Sequence, residues 1–222
     1  GYYAKVEDAF RTLLKGRTCA GPLVIDCAYG VGSPGIAPLV KSLSDVLEIQ
    51  VRNNASEVED GGSTGQGPQL NGGCGAEWVQ KKRLPPANAS AEADVGVRFA
   101  SFDGDADRVV YFTFHSEKGF TLLDGDKIAV LTAQFVGEEL EACGLSDEIN
   151  MGIVQTAYAN GAAHKAVLAK GIECPYAKTG VKYCHHKAVE YDIGIYYEAN
   201  GHGTAIFKDE VVDMIRTRMG NG

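Results

Sequence analysis

Phe102-Asp103-Gly104-Asp105-Ala106-Asp107-Arg108 is the stretch around which the rest of the chain can be placed. Carboxylates stand at every second position, separated only by Gly104 and Ala106, and an arginine closes the run. Apolar, strand-like segments flank it, Val95 to Phe99 before and Val109 to Phe114 after. Like charges packed this closely repel unless a positive group sits among them. A hard divalent cation such as Mg²⁺, one per site, is the natural partner because it prefers carboxylate oxygens. The small spacers let the backbone turn so that Asp103, Asp105 and Asp107 can face one centre. The stretch therefore predicts a metal loop at the end of a buried strand. An EF-hand loop also begins with alternating acids, but it needs Gly sixth and Glu twelfth, where this chain has Arg108 and Phe114. An aspartyl nucleophile or a water-solvated acidic turn would also place acids here. Evenly spaced acids fit ligation better than a nucleophile paired with an acid.

A length of 222 residues suits one large or two small domains. Apolar residues at 45% and charged residues at 23% are ordinary for a globular chain. The formal charge of −8 argues against non-specific binding to nucleic acid or an anionic membrane, since both need clustered positive charge. No apolar run reaches the roughly 18 residues of a membrane-spanning helix. The N-terminal segment lacks the apolar core of a secretory signal and reads as a helix, so a cytoplasmic location is expected. Cys19, Cys27, Cys74, Cys143, Cys174 and Cys184 form no C-x-x-C pair, which points to reduced thiols rather than a zinc or redox site.

Helical spacing of Tyr3, Val6, Phe10, Leu13 and Leu14 predicts an amphipathic helix over 2–15. Strands are expected at 23–27, 47–51, 95–102 and 108–114, with helices after the Gly30–Gly35 loop and over 74–82. Residues 52–73, rich in Gly, Asn and Ser, read as a long exposed loop. The pattern restarts after about residue 117. A helix beginning at Asp124 or Gly125 and running to about Cys143 is followed by strands at 152–156, 172–176, 193–198 and 204–207, with helices over 160–170, 182–190 and from 208. Such alternation argues for layered α/β structure. Val24-Ile25-Asp26-Cys27-Ala28-Tyr29-Gly30 is echoed by Ile153-Val154-Gln155-Thr156-Ala157-Tyr158-Ala159, each a strand entering an Ala-Tyr turn. Two related units are therefore expected, 1–116 and 117–222.

Lys178-Thr179-Gly180-Val181-Lys182 lies at a strand-to-helix turn, where lysines and free N–H groups suit a phosphate or an anionic transition state. A lysine there could also exchange protons if neighbours lower its pKa, and surface lysines solvating a helix start are the plainer reading. Glu198-Ala199-Asn200-Gly201-His202-Gly203 gathers hydrogen-bonding groups suited to sugar hydroxyls, although Asn-Gly alone would make a polar hairpin turn. His185-His186 is expected on a solvated helix face, His115 and His164 at the surface, and Trp78 in a core.

These stretches together resemble the α-D-phosphohexomutase superfamily, and within it the phosphoacetylglucosamine mutase branch. The metal loop marks the superfamily. Val154 to Gly161 and the Glu-Ala-Asn-Gly-His-Gly turn mark the branch, with Leu23 to Ala28, Cys74-Gly75-Ala76, Asp124 to Ala129, Lys178 to Lys182 and Tyr191 to Gly194 extending the match over most of the chain. The resemblance implies two related mixed-sheet α/β domains of the phosphohexomutase type, the second and third of four around one cleft. Residues 1–116 would be the metal-binding domain and 117–222 most of the sugar-recognising domain, cut short at its C-terminal end. The family's T-A-S-H-N-P-type phosphoserine segment and its R-P-S-G-T-type phosphate loop do not occur in these residues, so a central fragment, inactive alone and partnered by the missing N- and C-terminal domains, is expected.

The resemblance further implies an intramolecular phosphotransferase that interconverts N-acetylglucosamine 6-phosphate and 1-phosphate through a phosphoserine and a 1,6-bisphosphate, feeding UDP-N-acetylglucosamine synthesis. Asp103, Asp105 and Asp107 would hold Mg²⁺, Arg108 would meet the phosphate, and Lys182 would be the general acid/base. Glu198, Asn200, His202, Lys178 and Thr179 would bind the phosphorylated N-acetylhexosamine. A non-catalytic metal- or sugar-phosphate-binding fragment, and a glucose or mannose phosphomutase, are the competing readings.

Overall fold

Short runs of Val, Ile and Phe, buried on both faces, make the central strands of two sheets, as parallel strands covered by helices require. The computed structural model describes residues 1–58 and 68–220. Two compact units divide the chain, Gly1–Leu122 and Leu123–Gly222.

The first unit contains α1 (Tyr2–Leu14), β1 (Leu23–Asp26), α2 (Gly32–Ser42), β2 (Ile49–Arg52), a 3₁₀ turn (Ala55–Glu57), α3 (Gly75–Lys82), β3 (Arg98–Phe102), β4 (Val109–His115) and β5 (Gly119–Leu123). Its sheet runs β2-β1-β3-β4-β5. β1 lies parallel to both β2 and β3, and β3 turns back antiparallel into β4 with Phe102 opposite Val109. One face packs Phe99, Phe112 and Phe114 against Val79 and Ala76 of α3, and Trp78 joins this core from its edge. Phe99 and Phe112 stack at 4.5 Å, a pairing that adds to their burial.

The second unit contains α4 (Gly125–Ala142), β6 (Met151–Thr156), α5 (Gly161–Leu168), β7 (Tyr176–Ala177), α6 (Val181–Ala188), β8 (Ile193–Tyr197), β9 (Gly203–Phe207) and α7 (Asp209–Gly220). The sheet order is β7-β6-β8-β9, with β6 parallel to β7 and β8, and β9 antiparallel to β8. β6 and β1 thus hold the same place in their sheets, and the echoed segments fall on these two strands and the turns after them.

Several expectations shift. The unit boundary expected near residue 117 moves to Leu122–Leu123, because β5 extends the first sheet beyond β4. The strand expected from 95 begins at Arg98, since Gly96 has a φ of +76° and Val95 keeps only an isolated bridge to Phe114. The strand expected over 172–176 shrinks to Tyr176–Ala177, Pro175 having no N–H to donate. His164 is half-buried, bonded to Gln155 (3.1 Å) and stacked on Tyr176 (4.7 Å), rather than a free surface residue. Part of the long 52–73 loop lies outside the described residues. All six cysteines are unbridged, and no helix among the described residues is long and apolar enough to cross a membrane.

Candidate functional site

Each unit carries one of the two clusters singled out above, at the turn between its antiparallel strand pair. In the first unit that turn joins β3 to β4. Its first half is closed by the Ala106 N–H donating to the Asp103 carbonyl (3.1 Å), and Ala106 takes the left-handed conformation at φ +59°. This geometry brings carboxylate oxygens of Asp103, Asp105 and Asp107 all within 4.8 Å of one another. Asp103 is buried and the other two are exposed, so the cluster opens to one side. Three hard oxygen donors gathered in this way could hold a Mg²⁺-type ion, which commonly keeps waters on its remaining positions.

Arg108 lies against the same turn. Its N–H donates to Asp103 Oδ1 (3.1 Å), its Nε stands 3.4 Å from Asp103 Oδ2 and 3.7 Å from Asp107 Oδ1, and a terminal nitrogen is 3.5 Å from Glu77 Oε2 on α3. Burial pushes Asp103 above the usual carboxylate range; the bond from the Arg108 N–H opposes this, while Asp107 and Asp105 add to it. A cation in the turn would relieve that repulsion. Backbone from α2 and α3 closes around the loop. Val31 N–H donates to the Gly104 carbonyl (3.0 Å), and a Cβ on Gly30 would stand only 2.1 Å from that oxygen, so only glycine permits the approach.

In the second unit the corresponding turn joins β8 to β9 and carries Glu198 to His202. The Gly201 N–H donates to the Glu198 carbonyl (2.9 Å), the Glu198 N–H to the His202 carbonyl (2.8 Å), and the His202 N–H to Asn200 Oδ1 (2.9 Å). Asn200 therefore commits its oxygen to the turn and keeps its amide donors for other partners. Glu198 reaches the start of α6, where its Oε1 accepts the Gly180 N–H (3.1 Å). Gly180 sits at φ +117°, a conformation that suits glycine. The contact brings the predicted Lys178–Lys182 turn beside the Glu198 turn. Lys182 and Thr179 are exposed there, and Lys178 lies over the Tyr183 ring at 5.9 Å. α4 completes the cluster: the Gly125 N–H donates to the Ala199 carbonyl (3.2 Å), and Asp124 caps the helix through the Lys127 N–H (3.3 Å).

The sequence did not single out the buried polar groups that hold these turns. Asp26 is 1% exposed and accepts from Ala28 N–H (3.0 Å), Asn53 Nδ2 (2.7 Å), Gly75 N–H (2.7 Å) and Ser101 Oγ (2.8 Å). Burial, and then the Asp26 charge, push its neighbours Cys27 and Cys74 up to about 12, which disfavours the thiolate in both. The only available signal was an acid ending an apolar strand, inside a motif the resemblance had already marked.

Comparison with known proteins follows the two units. The family model for phosphoacetylglucosamine mutase AMG1, domain II, matches residues 2–110, and that for domain III matches residues 124–221. The chain is 42% identical over 218 residues to the phosphoacetylglucosamine mutase of Homo sapiens, covering 95% of this chain and 37% of that protein. It is 40% identical over 230 residues to that of Saccharomyces cerevisiae, covering 98% and 39%. Among solved structures it is similar to Aspergillus fumigatus N-acetylphosphoglucosamine mutase in complex with GlcNAc-6P and magnesium, with TM-score 0.86 and 38% identity over 97% of this chain and 42% of that one. A phosphoglucomutase/phosphomannomutase family protein of Burkholderia thailandensis, 22% identical with TM-score 0.55 over 96% of this chain and 43% of that one, shares the fold alone. The chain thus spans about two fifths of the length of the relatives it matches. With its units matched in order by two successive domains of one family, the chain belongs to the phosphoacetylglucosamine mutases of the α-D-phosphohexomutase superfamily and spans their second and third domains.

Proposed function

We propose that these residues are the metal-binding and sugar-recognising part of an enzyme that interconverts N-acetylglucosamine 6-phosphate and N-acetylglucosamine 1-phosphate, feeding UDP-N-acetylglucosamine synthesis in the cytoplasm. The observation that carries the proposal is the convergence of Asp103, Asp105 and Asp107 with Arg108 laid against them. These acids would hold one Mg²⁺, which when bound offsets charge on a transferring phosphoryl group. Arg108 gives charge-assisted hydrogen bonds to the phosphate.

The reaction we propose runs between a phosphoserine of the same enzyme and the sugar. The sugar hydroxyl attacks the phosphorus, the bond to the serine oxygen breaks, and Lys182 Nζ takes the hydroxyl proton. The resulting 1,6-bisphosphate returns its other phosphate to the serine, with Lys182 Nζ giving the proton back to the sugar oxygen. Glu198, Asn200 and His202 hold sugar hydroxyls in both orientations, while Lys178 and Thr179 meet the phosphate that is not reacting. The Gly180 N–H holds Glu198 Oε1 and so fixes the carboxylate at this turn, with acceptor capacity left for a hydroxyl. The phosphoserine segment and the C-terminal phosphate loop are absent from the 222 residues, so we propose that they do not turn substrate over by themselves and bind Mg²⁺ only loosely.

The test is ³¹P NMR of N-acetylglucosamine 6-phosphate with Mg²⁺ and a trace of sugar 1,6-bisphosphate, comparing the complete open reading frame with the 222-residue chain. The expected result is 1-phosphate from the complete protein alone, formed faster than from glucose 6-phosphate. A complete protein inert to both sugars overturns the enzyme assignment, and faster turnover of glucose 6-phosphate overturns the choice of sugar.

A further inference from the structure

The metal loop is hemmed in by main chain on several sides. Each of those segments leads back to Asp26. On the first side, Ser101 stands opposite Asp26 in the β1–β3 register, donates its hydroxyl to Asp26 Oδ2 (2.8 Å) and precedes Asp103 by a single intervening residue. On the second, the Gly75 N–H donates to the same oxygen (2.7 Å) at the start of α3. Gly75 sits at φ +85°, and a Cβ there would come within 3.0 Å of the Phe102 carbonyl, so α3 starts hard against the end of β3. The same first turn carries Glu77, the partner of Arg108.

On the third side, Asp26 Oδ1 accepts the Ala28 N–H (3.0 Å) and Asn53 Nδ2 (2.7 Å). Ala28 and Tyr29 both take positive φ, at +53° and +58°, and the Tyr29 N–H is held by the Asn53 carbonyl (2.8 Å). Non-glycine residues in that region persist only when their surroundings hold them there. This bent segment delivers Gly30 and Val31 to the Gly104 carbonyl in the middle of the metal loop. A carboxylate can accept from all these donors at once, whereas an amide of the same shape has one oxygen and turns its nitrogen toward donors. Asp26, Asn53 and Ser101 are all buried, so none of these bonds is exchanged with water.

We propose that Asp26 is the positioning residue of the metal loop: it touches neither the cation nor the substrate, and sets the spacing of Asp103, Asp105 and Asp107 through Ser101, the start of α3 and the Ala28–Val31 bend. The proposal rests on the assignment of that loop as a divalent-cation site. Supporting residues behind metal ligands commonly change affinity by about tenfold to a hundredfold when removed.

Three variants of the 222-residue chain test it. Asp26→Asn removes acceptors at constant volume, Ser101→Ala removes a single donor, and Phe114→Leu perturbs the same core at the other end of β4. Two quantities are read on each folded protein, well below its melting transition: Mn²⁺ affinity by water-proton relaxation, and hydrogen exchange of the Arg108 amide, which is bonded to Asp103 Oδ1. Asp26→Asn and Ser101→Ala should weaken Mn²⁺ about tenfold or more and speed Arg108 exchange by a similar factor, while Phe114→Leu loses stability and leaves both unchanged. Parent-like affinity and exchange in Ser101→Ala overturns the proposal even if Asp26→Asn fails to fold. A parent chain that binds no more Mn²⁺ than Asp105→Ala overturns the metal assignment instead, and Arg108 exchange, measured without metal, still decides whether Asp26 orders the loop.

Discussion

Replacing Gly30 with alanine forces a methyl group into the Asp103–Arg108 loop. The new Cβ would stand 2.1 Å from the Gly104 carbonyl oxygen and 2.6 Å from its Cα, where ordinary contact begins at 3.4 Å. The two backbones must therefore part by about 1.3 Å, the difference between 3.4 and 2.1 Å. Neither atom is the free end of a side chain, so main chain has to move. Gly30 is not among the residues with positive φ, so no left-handed conformation opposes alanine, and the steric clash dominates. Moving the Gly104 carbonyl breaks its bond from the Val31 N–H, worth about 1 kcal/mol, and overpacking adds about 1–3 kcal/mol. A loss of about 2–4 kcal/mol is expected, which at about 4 °C per kcal/mol lowers the thermal midpoint by about 8–16 °C. Trp78, the only tryptophan, lies half-buried on α3, so its fluorescence follows the first unit by itself. Mn²⁺ affinity should fall about tenfold in the folded variant. A midpoint within about 2 °C of the parent, with unchanged Mn²⁺ affinity, would refute the close approach of these backbones and the steric account with it.

Other perturbations test other parts of the molecule. Hydrogen bonds from Arg52 (3.0 and 3.2 Å) hold Asp94 below its ordinary value of 3.8, against the opposing effect of burial. A depressed carboxylate contributes stability that is complete above the ordinary value and is lost as pH falls through the folded-state value. Asp94→Asn should thus cost about 1–3 kcal/mol at neutral pH and flatten the acid limb of Trp78-monitored stability; an unchanged acid limb contradicts the pairing. Phe112→Ala, at a site 1% exposed and stacked on Phe99, should cost about 3–5 kcal/mol in urea titrations, and a loss below about 1 kcal/mol would show that the aromatic core is loose. Gly125→Ala drives a Cβ to 1.8 Å from the Glu198 carbonyl and so displaces the turn proposed to recognise the sugar. In the complete protein, kcat/KM for N-acetylglucosamine 6-phosphate should fall about tenfold to a hundredfold, and a parent-like value would remove that turn from substrate binding.

Local chemistry was legible without coordinates. The alternating acids of the 103–107 run need a cation or a turn whatever surrounds them, and the small residues between them allow the turn. The Asp124 cap, the apolar spacing of α1 and the Ala-Tyr echo of β1 in β6 are likewise written within a few residues, because helical turns, caps and strand alternation are short-range. Misplaced boundaries had two causes, a neighbour distant in sequence and a local proline. β5 exists because β4 offers it an edge, and the strand after Ile172 is short because Pro175 has no N–H for the ladder.

What the sequence determined by itself was therefore the set of chemical groups and the units that carry them: carboxylates with an arginine in one, and a lysine turn with a Glu-Asn-His turn in the other. What the tertiary structure alone decided was which partners the buried and turn side chains meet. Nothing near Asp26 in sequence reveals that it will collect donors from Asn53, Gly75 and Ser101, and nothing near Glu198 reveals that it will hold the Gly180 N–H. Such partners are chosen by strand order and by where crossover helices begin, and each buried polar group must find one there because no water replaces it.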